Sequence, residues 1–183
     1  MARVAGVVLA AGAGTRAGGP KALRRDADGV PWLALAAAAL RAGGCDEVRV
    51  VLGAGAEDAR ALVPAGVDVV IAEHWADGLS ASVRAGLDGL EADAAVVTLV
   101  DLHGLPADAV RRILAAPVGP ATLRRAIYAG RPGHPVLLGR DHWSAAAASA
   151  VGDRGAGRYL EAQGAEPVEL SRLWDGEDDD LPV

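Results

Sequence analysis

The chain has 183 residues, 51% of them hydrophobic, with a net charge of −6 and a pI near 5.2. That length suits one domain spanning residues 1–183 with a substantial core, and the acidic balance argues against a general nucleic-acid or membrane-surface binder. Phe is absent, so the core has to be Ala, Val and Leu, and the lone Cys45 rules out an internal disulfide and suits a reducing compartment. No apolar run reaches membrane length, and residue 4 already begins a strand with no signal peptide ahead of it. The expectation is a soluble, cytoplasmic protein.

In chain order, residues 4–11 form an apolar run that reads as a buried strand and empties into the loop Gly12 to Lys21. Asp28-Gly29 marks a turn, and Pro31 opens an alanine-rich helix to about residue 42, closed by Gly43-Gly44. Strand 47–52, helix 56–63, strand 67–72, helix 79–90, strand 96–100 and helix 106–115 follow with short links. This alternation predicts a parallel sheet covered on both faces, a three-layer α/β/α architecture. Beyond residue 116 the pattern changes. Short strands at 122–128 and 135–138 flank Ala129 to Gly133 as a hairpin or extended loop. Helical pieces at 141–150 and 155–163, a strand at 167–170 and an acidic tail at 175–180 complete the chain. One mostly parallel sheet with a mixed edge is expected.

The loop after the first strand is the most informative stretch. Gly12, Gly14, Gly18 and Gly19 let the backbone take positive φ and bring N–H groups close to a bulky anion, while Arg16 and Lys21 add fixed positive charge. A dinucleotide fingerprint finds its letters in Gly12, Gly14 and Ala17, but Gly18-Gly19-Pro20 would break the helix that should follow. A Walker A loop fails because Pro20 stands where the lysine belongs and no Ser or Thr follows Lys21. A plain glycine turn needs neither Arg16 nor Lys21. The reading is a phosphate-binding loop of a third kind, suited to a triphosphate. Asp101 ends the apolar run Val96 to Val100, at the sheet edge where this loop also lies. A hard cation bridging triphosphate oxygens needs a carboxylate there; capping of the next turn is the structural alternative.

Leu9-Ala10-Ala11-Gly12-x-Gly14-x-Arg16-x-Gly18-x-x-Lys21 resembles the signature of the MobA-like nucleotidyltransferases, with molybdenum cofactor cytidylyltransferases as the nearest branch. The resemblance implies a nucleotide-diphospho-sugar transferase (glycosyltransferase-A-like) fold and Mg²⁺-dependent nucleotidyl transfer from an NTP. It assigns nucleotide contacts to Leu9, Ala10, Ala11, Gly12, Gly14, Thr15, Arg16 and Lys21, catalytic roles to Arg16, Lys21 and Asp101, and the metal to Asp101. Gly78-Leu79-Ser80-x-Ser82 resembles a further nucleotide segment, adding Ser80 and Ser82; with Ala11 it favours CTP over GTP. Gly130 to Pro135 matches a Gly-x-x-Gly-His-Pro element beside the acceptor and Gly152-Asp153-x-Gly155 a Gly-Asp-x-Gly element, which brings His134 and Asp153 to the acceptor side. By chemistry alone Asp153 is equally a second metal acid or a helix cap. His103 stands where the family commonly has proline, and is taken as a further acceptor contact.

These residues together imply attack of an acceptor phosphate on the α-phosphorus of an NTP with release of pyrophosphate, a reaction that needs positioning and electrostatics rather than a side-chain nucleophile. Molybdopterin is the acceptor that the resemblance implies, and a protein that delivers or receives the cofactor is a plausible partner. Two alternatives stand beside this reading: an oxidoreductase using a pyridine nucleotide, and a non-catalytic nucleotide-binding regulatory module.

Overall fold

The structure is a computed structural model that describes residues 1–15, 18–150, 152 and 155–177. Its strands are β1 (Val4–Ala10), β2 (Glu47–Leu52), β3 (Asp68–Ile71), β4 (Ala94–Leu99), β5 (Leu123–Tyr128), β6 (Arg131–Gly139) and β7 (Glu166–Glu169). They form one sheet in the order β3-β2-β1-β4-β6-β5-β7. Every residue of β1 is buried, which explains its unbroken apolar run: neither face meets solvent. Val4, Val8 and Ala10 pack into one layer with α1 (Trp32–Gly43), α2 (Ala56–Arg60) and α4 (Ala107–Ile113). Ala5, Val7 and Leu9 pack into the other with α3 (Leu79–Leu87), α5 (Trp143–Ser149) and α6 (Gly157–Ala162). The absence of Phe is met by small side chains: Ala36 and Ala37 of α1 are buried between Leu33 and Leu40. Burial, with Asp46 beside it, pushes the Cys45 thiol up to about 12, so it serves as a small core residue. No helix of the described residues is long and apolar enough to cross a membrane.

The predicted elements are present with shifted ends. The helix after β2 stops at Arg60 rather than residue 63, because Pro64 disfavours helical geometry in the residue before it. The helix after β3 stops at Leu87 rather than 90, where Asp88 turns extended and Gly89 takes φ 59°. The mixed edge is the β6-β5-β7 side, where β6 alone is reversed, antiparallel to both β4 and β5, while β7 runs parallel to β5.

Two features of this topology position the site. The chain winds outward from β1 to β2 and β3, then returns to the other side of β1 to form β4. β1 and β4 are parallel neighbours, so the loops after them emerge side by side at one edge of the sheet, where ligands of such sheets sit in the crevice between loops. Farther along, Ala129 and Gly130 both take positive φ, at 50° and 79°, and close the β5-β6 hairpin. Pairing skips from Arg125↔Val136 to Ile127↔Pro132, so β6 bulges over Gly133, His134 and Pro135. Pro135 has no N–H to give a ladder, and the His134-Pro135 peptide is cis.

The reversed side of the sheet is fastened by Arg124, a buried cation on β5. Its guanidinium donates to Glu166 Oε2 of β7 at 2.9 Å and to the carbonyl oxygens of Ile113, Ala116 and Pro117 at 3.0, 3.2 and 3.0 Å. One side chain thus ties β5, β7 and the end of α4. Arg124→Met keeps the apolar stem but strands those acceptors, and is expected to destabilise the fold by about 3 kcal/mol in urea unfolding. The Glu166 side chain is itself 61% exposed, so Glu166→Gln is expected to cost about 1 kcal/mol or less.

Candidate active site

The glycine loop begins where β1 runs out of sheet partners. The Ala11 carbonyl accepts from the Ala54 N–H at 3.0 Å, holding the strand end against the loop after β2. Gly14 sits at φ 58°, and the Gly19 N–H donates to its carbonyl at 3.0 Å, so the loop closes on itself. A Cβ at residue 14 would overlap the Gly19 carbonyl oxygen. At Gly12 a Cβ would meet nothing within 4 Å, and both Gly12 and Thr15 are exposed, leaving that stretch of backbone open to a ligand. Leu9, Ala10 and Ala11 are buried beneath it. Arg16 lies outside the described residues.

Lys21 follows in a short 3₁₀ turn, Lys21–Leu23, and its ammonium meets the Asp101 carboxylate across the crevice, Nζ to Oδ2 2.9 Å. Their side chains are only 17% and 15% exposed, so solvent screens the pair little. Asp101 Oδ1 is buried and accepts no hydrogen bond. A buried carboxylate oxygen without a donor is costly, and a hard cation or a donating ligand relieves it. The donor chemistry therefore fits a divalent metal shared with phosphate and water.

His134 occupies the β6 bulge. Its carbonyl accepts from the Tyr128 hydroxyl at 2.6 Å, and burial pushes that phenol up, so it stays a donor. Burial, with the Arg125 cation adding to it and the Asp101 carboxylate opposing, lowers the His134 imidazole from 6.5 to about 4. His134 is thus a neutral ring near pH 7, within electrostatic reach of both Arg125 and Asp101. It lines two cavities. One, about 530 Å³, lies toward Tyr128, Arg131 and Asp175; the other, about 420 Å³, lies under α3 and α6.

The other expected site residues are placed differently. His103 stacks face to face on Trp32 of α1, ring centroids 4.3 Å apart and planes within 7°. It therefore belongs with the α1 layer, on the opposite side of the sheet from the 420 Å³ cavity. Ser80 and Ser82 are buried on α3; the Ser80 N–H donates to the Gly152 carbonyl at 3.0 Å and its hydroxyl accepts from Arg84 at 3.1 Å. Neither Asp77 nor Ser80 caps α3 with its side chain. Asp153 lies outside the described residues. Arg125, which lines the 420 Å³ cavity, was not among the expected residues. Its signal was two adjacent arginines in an apolar strand, which a period of two sends to opposite faces.

A mostly parallel, three-layered sheet of seven strands with one strand reversed is the nucleotide-diphospho-sugar transferase fold, here in the form that nucleotidyltransferases carry. The particular family is that of the MobA-like NTP transferase domain, whose model matches residues 6–168, and the chain belongs to it. It is accordingly an enzyme of the nucleotidyltransferase class. Among its relatives, the nicotine blue oxidoreductase of Paenarthrobacter nicotinovorans is 38% identical over 175 residues, covering 86% of this chain and 81% of the relative. The molybdenum cofactor guanylyltransferase of Rhodobacter capsulatus is 35% identical over 150 residues, covering 79% and 67%. Rv0371c of Mycobacterium tuberculosis H37Rv, solved in complex with manganese, is 31% identical with a TM-score of 0.74, covering 92% of this chain and 87% of that one.

Gly14→Ala is expected to open the loop, because the left-handed backbone costs an alanine about 1 kcal/mol and the Cβ overlap adds to it. Hydrogen exchange of the Gly19 amide, which donates to the Gly14 carbonyl in the wild type, should become faster in the variant. The lowered His134 value has a second consequence. Between pH 6.5 and about 4 the unfolded chain binds a proton that the folded chain does not, so stability falls as pH drops through that window. Urea midpoints of wild type and His134→Gln across pH 7.5 to 4 should show the variant losing less stability on acidification.

Proposed function

We propose that this chain transfers CMP from CTP to a phosphorylated small molecule such as molybdopterin, releasing pyrophosphate, with Mg²⁺ as the metal and residues 1–183 acting as one catalytic unit. The observation that carries the reading is the largely buried Lys21–Asp101 pair, which bridges from the end of an open glycine loop to the end of β4, with Asp101 Oδ1 unpartnered. Asp101 would hold the divalent cation, which when bound neutralises triphosphate charge. Backbone N–H groups of Gly12 to Thr15, with Arg16 and Lys21, bind and orient the triphosphate. An acceptor phosphomonoester is already ionised near pH 7, so no side chain has to deprotonate it. Its oxygen forms a bond to the α-phosphorus as the α–β bridging P–O bond breaks, and the electron pair leaves with pyrophosphate. The neutral His134 ring faces the acceptor side, and Ser80 and Ser82 shape the start of α3 from within.

The choice of CTP rests on Ala11 and on Gly78-Leu79-Ser80-x-Ser82; GTP is the direct competitor, since one relative bears a guanylyltransferase name. Manganese in the Rv0371c complex supports a divalent metal, and the free, buried Cys45 fits a reducing cytoplasm, where a cofactor-carrying protein would act as partner. A second reading, pyridine-nucleotide redox chemistry, draws on the oxidoreductase relative. It asks for a helix N-terminus directly behind the loop, whereas Lys21–Leu23 is a 3₁₀ turn and α1 begins only at Trp32.

Calorimetric titration of CTP, GTP, ATP and NADPH with and without Mg²⁺, on wild type and Asp101→Ala, tests the proposal. CTP should bind the wild type about a hundredfold more tightly with Mg²⁺ than without, and the metal effect should vanish in the variant. Preference for NADPH with no metal dependence would overturn it in favour of the redox reading.

A further inference from the structure

The 420 Å³ cavity has a composition that the glycine loop does not account for. Aliphatic side chains from three strands and two helices line it, among them Leu9, Val83, Val97, Val136 and Leu160. These walls offer no hydrogen bonds, so a polyhydroxylated ligand would leave its hydroxyls unsatisfied there. Into this setting β5 sends Arg125. Its Nε is buried without a hydrogen-bond partner. Burial lowers the guanidinium from its ordinary value, and Glu161 of α6, which also lines the cavity with Arg158, opposes that only in part. A cation so placed is stabilised by an incoming anion, which a planar guanidinium binds in a fork. The position suits transfer chemistry: His134 lines the same cavity as Arg125 and is within electrostatic reach of Asp101, the proposed metal ligand.

We infer that Arg125 is the anion anchor of this cavity, which receives the acceptor as a phosphomonoester with an apolar-faced body and rejects sugar phosphates. The inference rests on the nucleotidyl-transfer reading above, and adds to it the residue that grips the acceptor and the kind of body it carries. A volume of about 420 Å³ suits a small ligand. Flat ring faces meet the Leu and Val walls, while polar atoms at a ring edge have Glu161 and Arg158 within the same cavity.

The test uses matched probes on the full chain: 1-naphthyl phosphate, glucose 1-phosphate and 1-naphthalenemethanol, titrated into wild type, Arg125→Gln and Arg125→Lys. The expected result is that 1-naphthyl phosphate binds the wild type about tenfold or more tightly than either other probe, loses about tenfold in Arg125→Gln and recovers part of it in Arg125→Lys. In the wild type, its addition should also shift the Arg125 Nε–H resonance, a readout that does not depend on any variant folding. Equal binding of 1-naphthyl phosphate to wild type and Arg125→Gln, equal binding of glucose 1-phosphate, or an unmoved Nε–H resonance would each overturn the inference. Mg²⁺·CTP titrated into the same proteins separates the two readings. Loss of nucleotide binding in the wild type would count against the transfer reaction, whereas intact nucleotide binding with no probe selectivity would count against Arg125 alone.

Discussion

The ion pair between Lys21 and Asp101 joins the two loops that leave the neighbouring strands β1 and β4 at one edge of the sheet. Desolvating two charges is expensive, and a single 2.9 Å contact offsets it only where the geometry is good and the remaining lone pairs find partners. Here Asp101 stands just beyond β4 and Lys21 is fixed by a tight turn after the glycine loop, so neither charge has to be ordered afresh when a ligand arrives. The pair also leaves the carboxylate half used. Lys21 satisfies one oxygen and the other waits for a partner, which gives a net-acidic protein a place where a cation and a polyanion can be accepted together.

Much of this could be read along the chain. The unbroken apolar run of β1 announced a strand buried on both faces, and the glycines after it announced a turning loop; both are local properties. Asp101 was legible because strand ends in an α/β sheet converge on one edge. The Gly-x-x-Gly-His-Pro pattern singled out His134, but not the bulge opposite Ala126 that holds it. What stayed hidden depends on partners far away in sequence. Nothing near His103 says that it will lie flat on Trp32, and nothing near Ser80 says that Gly152 will take its amide. Helix ends slid by two or three residues where a following proline or glycine outweighed the periodic pattern.

Arg125 shows the limit most plainly. Two adjacent arginines in a strand look like a solvated stretch until both faces of that strand are found covered. The first is then absorbed by three carbonyls and a glutamate, and the second sits in a cavity wall with its Nε unbonded and only Glu161 to oppose its desolvation. Composition could not distinguish them, because the difference lies in what α4 and α6 bring to each face.

This arrangement makes the two arginines neighbours on one backbone with separate duties. Any drift in β5 that loosens the anchor on one face also moves the cation on the other. Fold integrity and ligand preference are therefore inherited as a unit along this strand. Across descendants of such a protein, new preferences would be acquired through the aliphatic walls contributed by other elements, while β5 itself stays the fixed reference against which those walls vary.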